Sequence, residues 1–111
     1  MRTYVKQGSG FWSQTVAIVD NGRIYKGGST WGAPVAIIKG RSVYEGGSSW
    51  NNQIATISGD RVYRGGTWGS VYAMRDGDVI YEGGSTWNRR IAEIDGPDKD
   101  GALAAVAALN L

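Results

Sequence analysis

The chain has 111 residues, with 12 basic and 10 acidic side chains and a formal net charge of +2. It contains neither Cys nor His, which excludes disulfides, thiolate metal sites and the commonest general base and metal ligand. The length fits one domain, and the charges form no Lys or Arg run of the kind that marks a nucleic-acid or anionic-membrane surface.

A short phrase ending in Trp organises the chain. Residues 25–31 read Tyr-Lys-Gly-Gly-Ser-Thr-Trp, and the phrase recurs at 44–50 and 81–87. The segment 63–68 is one residue shorter, and 4–12 is a longer and looser copy. Successive Trp residues are therefore 19, 19, 18 and 19 positions apart, which indicates an internal repeat of 18–19 residues. The five are Trp12, Trp31, Trp50, Trp68 and Trp87.

Each repeat predicts a β-hairpin. A large residue follows four positions after Trp, and Ala follows five positions after it in all five copies. Turn residues such as Asn21-Gly22 then precede a second segment that ends in a β-branched residue and Tyr, as in Ile24-Tyr25. Asn-Gly between such segments is the strongest short-range hairpin signal. About ten short strands in this spacing favour a barrel, sandwich or propeller. The repeated alanines are Ala17, Ala36, Ala55, Ala73 and Ala92.

The phase of the repeat predicts a closed ring. Residues 3–5 correspond to a second, Tyr-bearing strand with no first strand before it, whereas residues 91–94 are a first strand with no second strand after it. Pairing these two half-units completes a fifth hairpin and removes both exposed sheet edges. We therefore predict an all-β fold, a closed ring or barrel of about five hairpins over residues 1–96, with the N-terminal strand against the last strand.

The residue after each Tyr alternates in charge. The four are Lys26, Glu45, Arg64 and Glu82. In a ring, neighbouring repeats would present opposite charges to each other, and each exposed pair would contribute about 0.2–1 kcal/mol. The alternative is that they are four solvated surface residues.

Residues 97–111 form a turn-rich linker and an Ala/Leu-rich segment with strong helix propensity. Asp98 or Asp100 is placed to cap this helix. Because the segment is apolar all round, it predicts a buried helix. It either plugs one mouth of the ring or packs, through residues 102–111, against a second copy of the protein.

Repeats such as Pro34-Val35-Ala36-Ile37-Ile38-Lys39-Gly40-Arg41-Ser42-Val43-Tyr44, followed by an Ala/Leu-rich tail, resemble the bacterial four-fold β-flower proteins. The resemblance covers most of the chain and implies a small closed β-ring of hairpins. It brings no established activity and no catalytic residues. This sequence departs from the pattern in having about five units rather than four.

No catalytic constellation or cofactor motif is present, and we expect neither catalysis nor a bound metal or cofactor. Ser residues recur beside Gly, but no His can activate one as a nucleophile. Asp76 with Asp78 suits a hairpin turn better than a Ca²⁺ site. Linker and capping roles suit the remaining acids near the C-terminus better than cation binding. A glycosidase pair would require two distant acids to converge. The C-terminal acids are Asp95, Asp98 and Asp100, and the acids considered for a glycosidase pair are Glu45, Glu82 and Glu93.

The Trp residues are the candidates for a role beyond structure. In a closed ring they lie at equivalent points at one end, where they could line a pocket with Ser hydroxyls for a sugar or a flat apolar ligand. The alternative is that each indole is a buried wedge between repeats. The candidate ligand-binding residues are Trp12, Trp31, Trp50, Trp68, Trp87, Ser29, Ser48 and Ser85.

Two functions therefore remain open in preference to an enzyme. The first is a non-catalytic module that binds a small molecule or sugar, and the second is a structural protein that self-associates through its C-terminal helix. The longest apolar stretch, residues 102–109, is too short to span a bilayer, and the N-terminus lacks the apolar core of a signal peptide. We accordingly expect a cytoplasmic protein without a membrane or nucleic-acid partner.

Overall fold

In the computed structural model, which describes residues 2–8, 13–65 and 70–111, the chain forms ten β-strands and one α-helix. The strands are β1 (Arg2–Gln7), β2 (Gln14–Asp20), β3 (Arg23–Lys26), β4 (Ala36–Lys39), β5 (Ser42–Glu45), β6 (Gln53–Ser58), β7 (Arg61–Arg64), β8 (Val71–Asp76), β9 (Val79–Glu82) and β10 (Arg90–Asp95), and the helix is α1 (Lys99–Ala108). Each strand pairs antiparallel with its sequence neighbours, and the sheet closes into a barrel. The predicted fold is confirmed.

The hairpin turns follow from the local sequence. Between β2 and β3, Asn21 and Gly22 have φ angles of 52° and 77°. Positive φ at both central positions defines the type I′ turn, whose twist matches that of the flanking strands. Gly is needed here because an L-residue with a side chain rarely adopts this conformation. The turn thereby fixes the register in which Val19 pairs with Ile24.

The barrel closes through the two half-units at the ends of the repeat region. β1 pairs with β10 in the register Tyr4 with Asp95, Val5 with Ile94, and Lys6 with Glu93. On its other side β1 pairs with β2. The closure predicted from the phase of the repeat is therefore confirmed, and neither terminal strand of the barrel is left with an open edge.

Two rings of side chains line the inside of the barrel. The first ring consists of the repeated alanines, which are 0–5% exposed: Ala17, Ala36, Ala55, Ala73 and Ala92. The second consists of the residue before the Tyr of each repeated phrase, and all five members are fully buried: Thr3, Ile24, Val43, Val62 and Ile80. A barrel of about eight strands is filled by its own side chains. With ten strands and a ring of alanines, this barrel has room for more.

The helix α1 fills that room. Residues 101–107 are all buried, and the helix contacts strands on every side of the barrel, including β1, β2, β4, β6 and β8. Its Ala-rich sequence keeps it narrow, and its core contribution comes from Leu103 and Val106, both fully buried. The helix predicted to plug one mouth therefore runs inside the barrel. Docking on a second copy would have to use residues 108–111, which keep some exposure.

The start of the helix is bonded to the first strand. The backbone N–H of Asp98 donates to Thr3 Oγ1 at 2.9 Å, and the Asp98 carboxylate accepts from the N–H of Gly101 at 2.9 Å. The second bond is an N-cap, as predicted for Asp98, which satisfies one of the free N–H groups of the first turn. Thr3 is thus the one polar member of its ring because it holds the helix in place.

Ion pairs surround this helix start and explain an irregularity of the repeat. Arg75 stands where three other repeats carry a buried Val or Ile, and its Nη2 lies 3.7 Å from Asp100 Oδ1. Lys99 pairs with Asp78 and donates to the Gly96 carbonyl at 2.8 Å. Four of the acids considered as cation ligands are therefore engaged with protein partners, namely Asp78, Asp95, Asp98 and Asp100. Among the described residues, no helix is long and apolar enough to cross a membrane.

Candidate functional site

The two ends of the barrel differ. One end carries the tight hairpin turns and the start of α1. The other carries the repeated Gly-Gly-Ser loops, and we call it the loop end; its described loops are 27–35, 46–52 and 83–89. The chain emerges from the barrel there, since the Tyr72 hydroxyl donates to the Leu111 carbonyl at 3.0 Å and Arg64 donates to Asn110. The loop end thus brings the Trp phrases and the last residues of the chain together.

A β-bulge shapes each wall of the loop end. In β6 the register with β5 passes from Gln53 to Ala55 and skips Ile54. The extra residue lets two consecutive side chains face the interior, because a bulge breaks the alternation of the strand. The Ile54 carbonyl accepts the N–H of Gly65, the first Gly of the next loop, at 2.9 Å. The same bulge occurs at Val16, Tyr72 and Ile91. The large residue four positions after Trp is therefore partly buried and packs against the core, as Leu109 and Leu111 also do.

A Ser hydroxyl fixes each described Trp. The backbone N–H groups of Trp31, Trp50 and Trp87 each donate to the Ser two residues before them at 3.1 Å. The acceptors are Ser29, Ser48 and Ser85. Such a bond closes a short turn of side chain on backbone. The predicted Ser residues therefore hold the loop, and each hydroxyl keeps its hydrogen as a donor.

Two of the described loops carry a second hydrogen bond, from an Asn side chain to the backbone, which we call the Asn lock. The Asn51 amide donates to the Glu45 carbonyl at 2.8 Å, and the Asn88 amide donates to the Glu82 carbonyl at 2.8 Å. These bonds tie the residue after Trp to the last residue of the preceding strand. A Cβ at Gly46, which has φ of 70°, would lie 2.9 Å from the Asn51 amide nitrogen. The Gly-Gly sequence thus allows the close approach that the lock requires.

The indole rings stand in solvent. Trp31, Trp50 and Trp87 are 94%, 96% and 95% exposed. The wedge interpretation is therefore wrong for these three residues, since a wedge between repeats would be buried. Trp12 and Trp68 lie outside the described residues.

Depressions lie beside the loops and around the emerging chain end. One of about 430 Å³ is formed by Trp50 with the lock residues and their neighbours, namely Glu45, Gly46, Asn51 and Asn52. Another of about 370 Å³ lies at the mouth, between Arg64, Tyr72, Arg89 and Leu111. Sequence reasoning missed Asn51, Asn52 and Tyr72 as site residues. The recurrence of Asn directly after Trp at positions 51 and 88 was the available signal for the first of them.

The alternating charges do not join neighbouring repeats. Glu82 Oε2 lies 3.6 Å from Arg89 Nε within the same loop. The Arg64 guanidinium lies over the Tyr72 ring, 4.7 Å from its centroid, which is a cation–π contact. All four alternating side chains are exposed. Their contacts in the described part of the chain favour the alternative of solvated residues, which interact with the adjoining loop, with the next strand or with the chain end.

The acids considered for a glycosidase pair belong to separate strands. Glu45 ends β5 and Glu82 ends β9, with three strands between them in the barrel. Glu93 of β10 pairs with Arg90. In the described ranges no three acidic side chains gather in a group that could hold a metal ion. What the loop end offers chemically is a set of exposed indoles beside carboxylate, amide and guanidinium groups.

Trp50→Ala is expected to change the free energy of unfolding by less than about 0.5 kcal/mol, because an exposed side chain leaves no cavity when it is removed. Urea unfolding monitored by circular dichroism measures the change. Ile80→Ala is the matched control: Ile80 is fully buried in the barrel and its truncation should cost about 2–5 kcal/mol. A cost at Trp50 comparable to that at Ile80 would show that the indole is part of the core.

The family model described as "6-fold beta flower protein" matches residues 4–101 of this chain. No curated protein and no solved structure gives a significant match. The resemblance to β-flower proteins is thus confirmed, with the six-fold family in place of the four-fold one. The barrel itself consists of ten strands, which make five hairpin units.

Proposed function

This chain belongs to the 6-fold beta flower family, and we propose that it is a non-catalytic binding module whose Trp loops hold a ligand of the carbohydrate class. The observation that carries the proposal is the exposure of the three described indoles, at 94–96%. Side chains that make almost no contact within the fold are available to contact something outside it.

The exposure matters because indole is costly to leave in water. Burying a Trp removes about 150–250 Å² from solvent, and apolar area contributes about 25 cal/mol per Å² when it is buried. All five repeats place Trp at the same position, although the three described ones serve no packing role there. The Ser turns hold these rings on fixed backbone, so little conformational entropy is lost when a ligand covers them. Fixed, exposed aromatic rings are the usual anchors of a binding surface.

The surroundings of Trp50 favour a sugar over a purely apolar ligand. A pyranose ring has one face of C–H groups, which suits an indole face, and a rim of hydroxyls that need hydrogen-bond partners. The depression beside Trp50 supplies such partners in the Glu45 carboxylate and the Asn52 amide. An apolar surface with a few polar groups that fix orientation is the general form of a small-molecule site.

Catalysis is left out of the proposal because the sequence has no His or Cys and no catalytic motif. The carboxylates of the loop end also lie on different repeats, so two of them do not flank one bond.

The proposal is tested by recording ¹H–¹⁵N NMR spectra of the protein while titrating a panel of soluble oligosaccharides. The five indole N–H groups give separate signals, and we expect the Trp50 and Trp87 signals to shift with at least one sugar. Trp50→Ala should abolish the shift pattern of its loop, while Trp50→Tyr, which keeps an aromatic face, should retain binding. A panel of neutral and acidic sugars that moves no indole signal would refute the proposal.

A further inference from the structure

Four of the five repeats fall into two kinds that alternate along the chain. Where an acid follows Tyr, Asn follows Trp: Glu45 goes with Asn51, and Glu82 with Asn88. Where a base follows Tyr, Gly follows Trp: Lys26 goes with Gly32, and Arg64 with Gly69. The sequence therefore contains two acid–Asn loops that are separated by one base–Gly loop.

The two acid–Asn loops have the same structure. In both, the Trp N–H donates to Ser at 3.1 Å and the Asn amide donates to the acid's carbonyl at 2.8 Å. The Asn backbone N–H also donates to the carbonyl of the Ser, at 3.2 Å for Asn51 and 3.1 Å for Asn88. The loop of Trp31 has the Ser bond, but it has Gly32 in place of Asn and therefore no side-chain amide to form the Asn lock. The backbone of both loops is thus held by the same three hydrogen bonds, with an exposed Trp at the same position.

The barrel sets the distance between these loops. The Trp50 loop joins β5 to β6 and the Trp87 loop joins β9 to β10, so they are two repeats apart in a ring of five. Strands about 4.8 Å apart and tilted by about 40° give a ten-strand barrel a radius of about 10 Å, which places the two loops about 20 Å apart at the wall. The dimensions of 38 × 34 × 20 Å show a wide, flat molecule that accommodates this separation. A mono- or disaccharide is too short to touch both indoles.

We propose that the Trp50 and Trp87 loops are paired subsites for one extended chain of a neutral polysaccharide. The inference rests on the proposed function and specifies its ligand as a polymer. Each of the two loops follows an acid whose carboxylate can accept bonds from hydroxyls. Glu45 lines the depression beside Trp50 and disfavours an anionic polymer, whereas the charge of Glu82 is balanced by Arg89, 3.6 Å away. Once one indole is occupied, the second binding step is intramolecular, so overall affinity exceeds that of either subsite by up to about 10²–10⁴-fold.

The test uses the full chain. Affinity electrophoresis is run in gels that contain a soluble neutral polysaccharide: xyloglucan, galactomannan, mixed-linkage glucan or dextran in turn. Calorimetry then measures the binding of disaccharides and octasaccharides prepared from the polymer that binds. We expect Trp50→Ala and Trp87→Ala each to weaken polymer binding about tenfold or more, as the loss of one linked subsite requires. The double variant should then lose binding. With disaccharides, each single variant should lose one site and keep the affinity of the other. Arg41→Ala, which removes an exposed side chain from a hairpin turn at the opposite end of the barrel, is the control and should change polymer affinity by less than about twofold.

Two results would overturn the pairing while the proposed function stands. The polymer and the disaccharide could bind with equal affinity per site, or Trp50→Ala and Trp87→Ala could each weaken polymer binding by twofold or less. If the wild-type protein binds no polysaccharide or oligosaccharide of the panel, both the pairing and the proposed function are overturned. Melting curves that match the wild type for all four variants establish that a loss of binding does not come from unfolding.

Discussion

Leu103→Ala is expected to lower the free energy of unfolding by about 2–5 kcal/mol, and by a value in the upper half of that range. Leu103 is fully buried in the middle of α1, inside the barrel. The cost of a cavity depends on how far its walls can collapse. Here the walls are strands that are hydrogen-bonded to neighbours on both sides around a closed ring, so they cannot move inward to refill the space. Urea unfolding at equilibrium measures the loss.

Leu111→Ala is the matched control, because the same atoms are removed from the same segment. Leu111 is only partly buried at the mouth, where solvent can fill the space that the side chain leaves. Its truncation should cost less than half of the Leu103 value. Equal costs at the two positions would mean that the helix does not lie in the closed interior.

Removal of residues 1–7 should abolish cooperative thermal unfolding. β1 is hydrogen-bonded to β2 on one side and to β10 on the other, so its loss exposes two strand edges at once. The deletion also removes Thr3 and with it the bond that holds the start of α1. An ordinary terminal truncation removes poorly ordered residues and costs little. Melting followed by circular dichroism and calorimetry distinguishes the two cases.

A synthetic peptide of residues 2–8 is the control for this deletion. If β1 acts by filling the gap between β2 and β10, the peptide should bind the truncated chain and restore a cooperative transition. A truncated protein that melts within a few degrees of the intact one, with no peptide added, would contradict the role of β1 in closing the barrel.

The sequence predicted the barrel because its repeat contains the information locally. Asn21-Gly22 specifies a hairpin on its own. The half-units at residues 3–5 and 91–94 predict closure because each lacks the partner that the other supplies. For α1, the sequence predicted only that the helix plugs one mouth of the barrel or packs against a second copy of the protein. Its position inside the barrel depends on the barrel radius, which is set by strand number and tilt rather than by any residue of the helix.

The candidate site was less predictable for a physical reason. Trp is highly buried on average, so a repeated Trp is first interpreted as a core residue. Whether it is buried here depends on the path of the loop, and that path is fixed by bonds between Asn51 and Glu45 and between Trp50 and Ser48. These side chains are polar and common in loops, and periodicity of hydrophobic residues does not detect them. The bulges that turn Ile54 and Tyr72 inward are equally invisible to a pattern of alternation.

A helix enclosed by a continuous wall also restricts the order in which the molecule can assemble. Once Tyr4 and Asp95 have paired, the ring is shut, and α1 follows β10 after only a short linker. We therefore expect the pairing of β1 with β10 and the docking of the helix to occur together, late in folding. The strand pairing joins opposite ends of the chain, and the helix packs on strands from β1 to β10. Contacts of such long range slow folding, since much loop entropy is lost before they form. The same enclosure should protect the native state, and we expect the amide hydrogens of the helix to exchange with solvent at rates close to that of global unfolding.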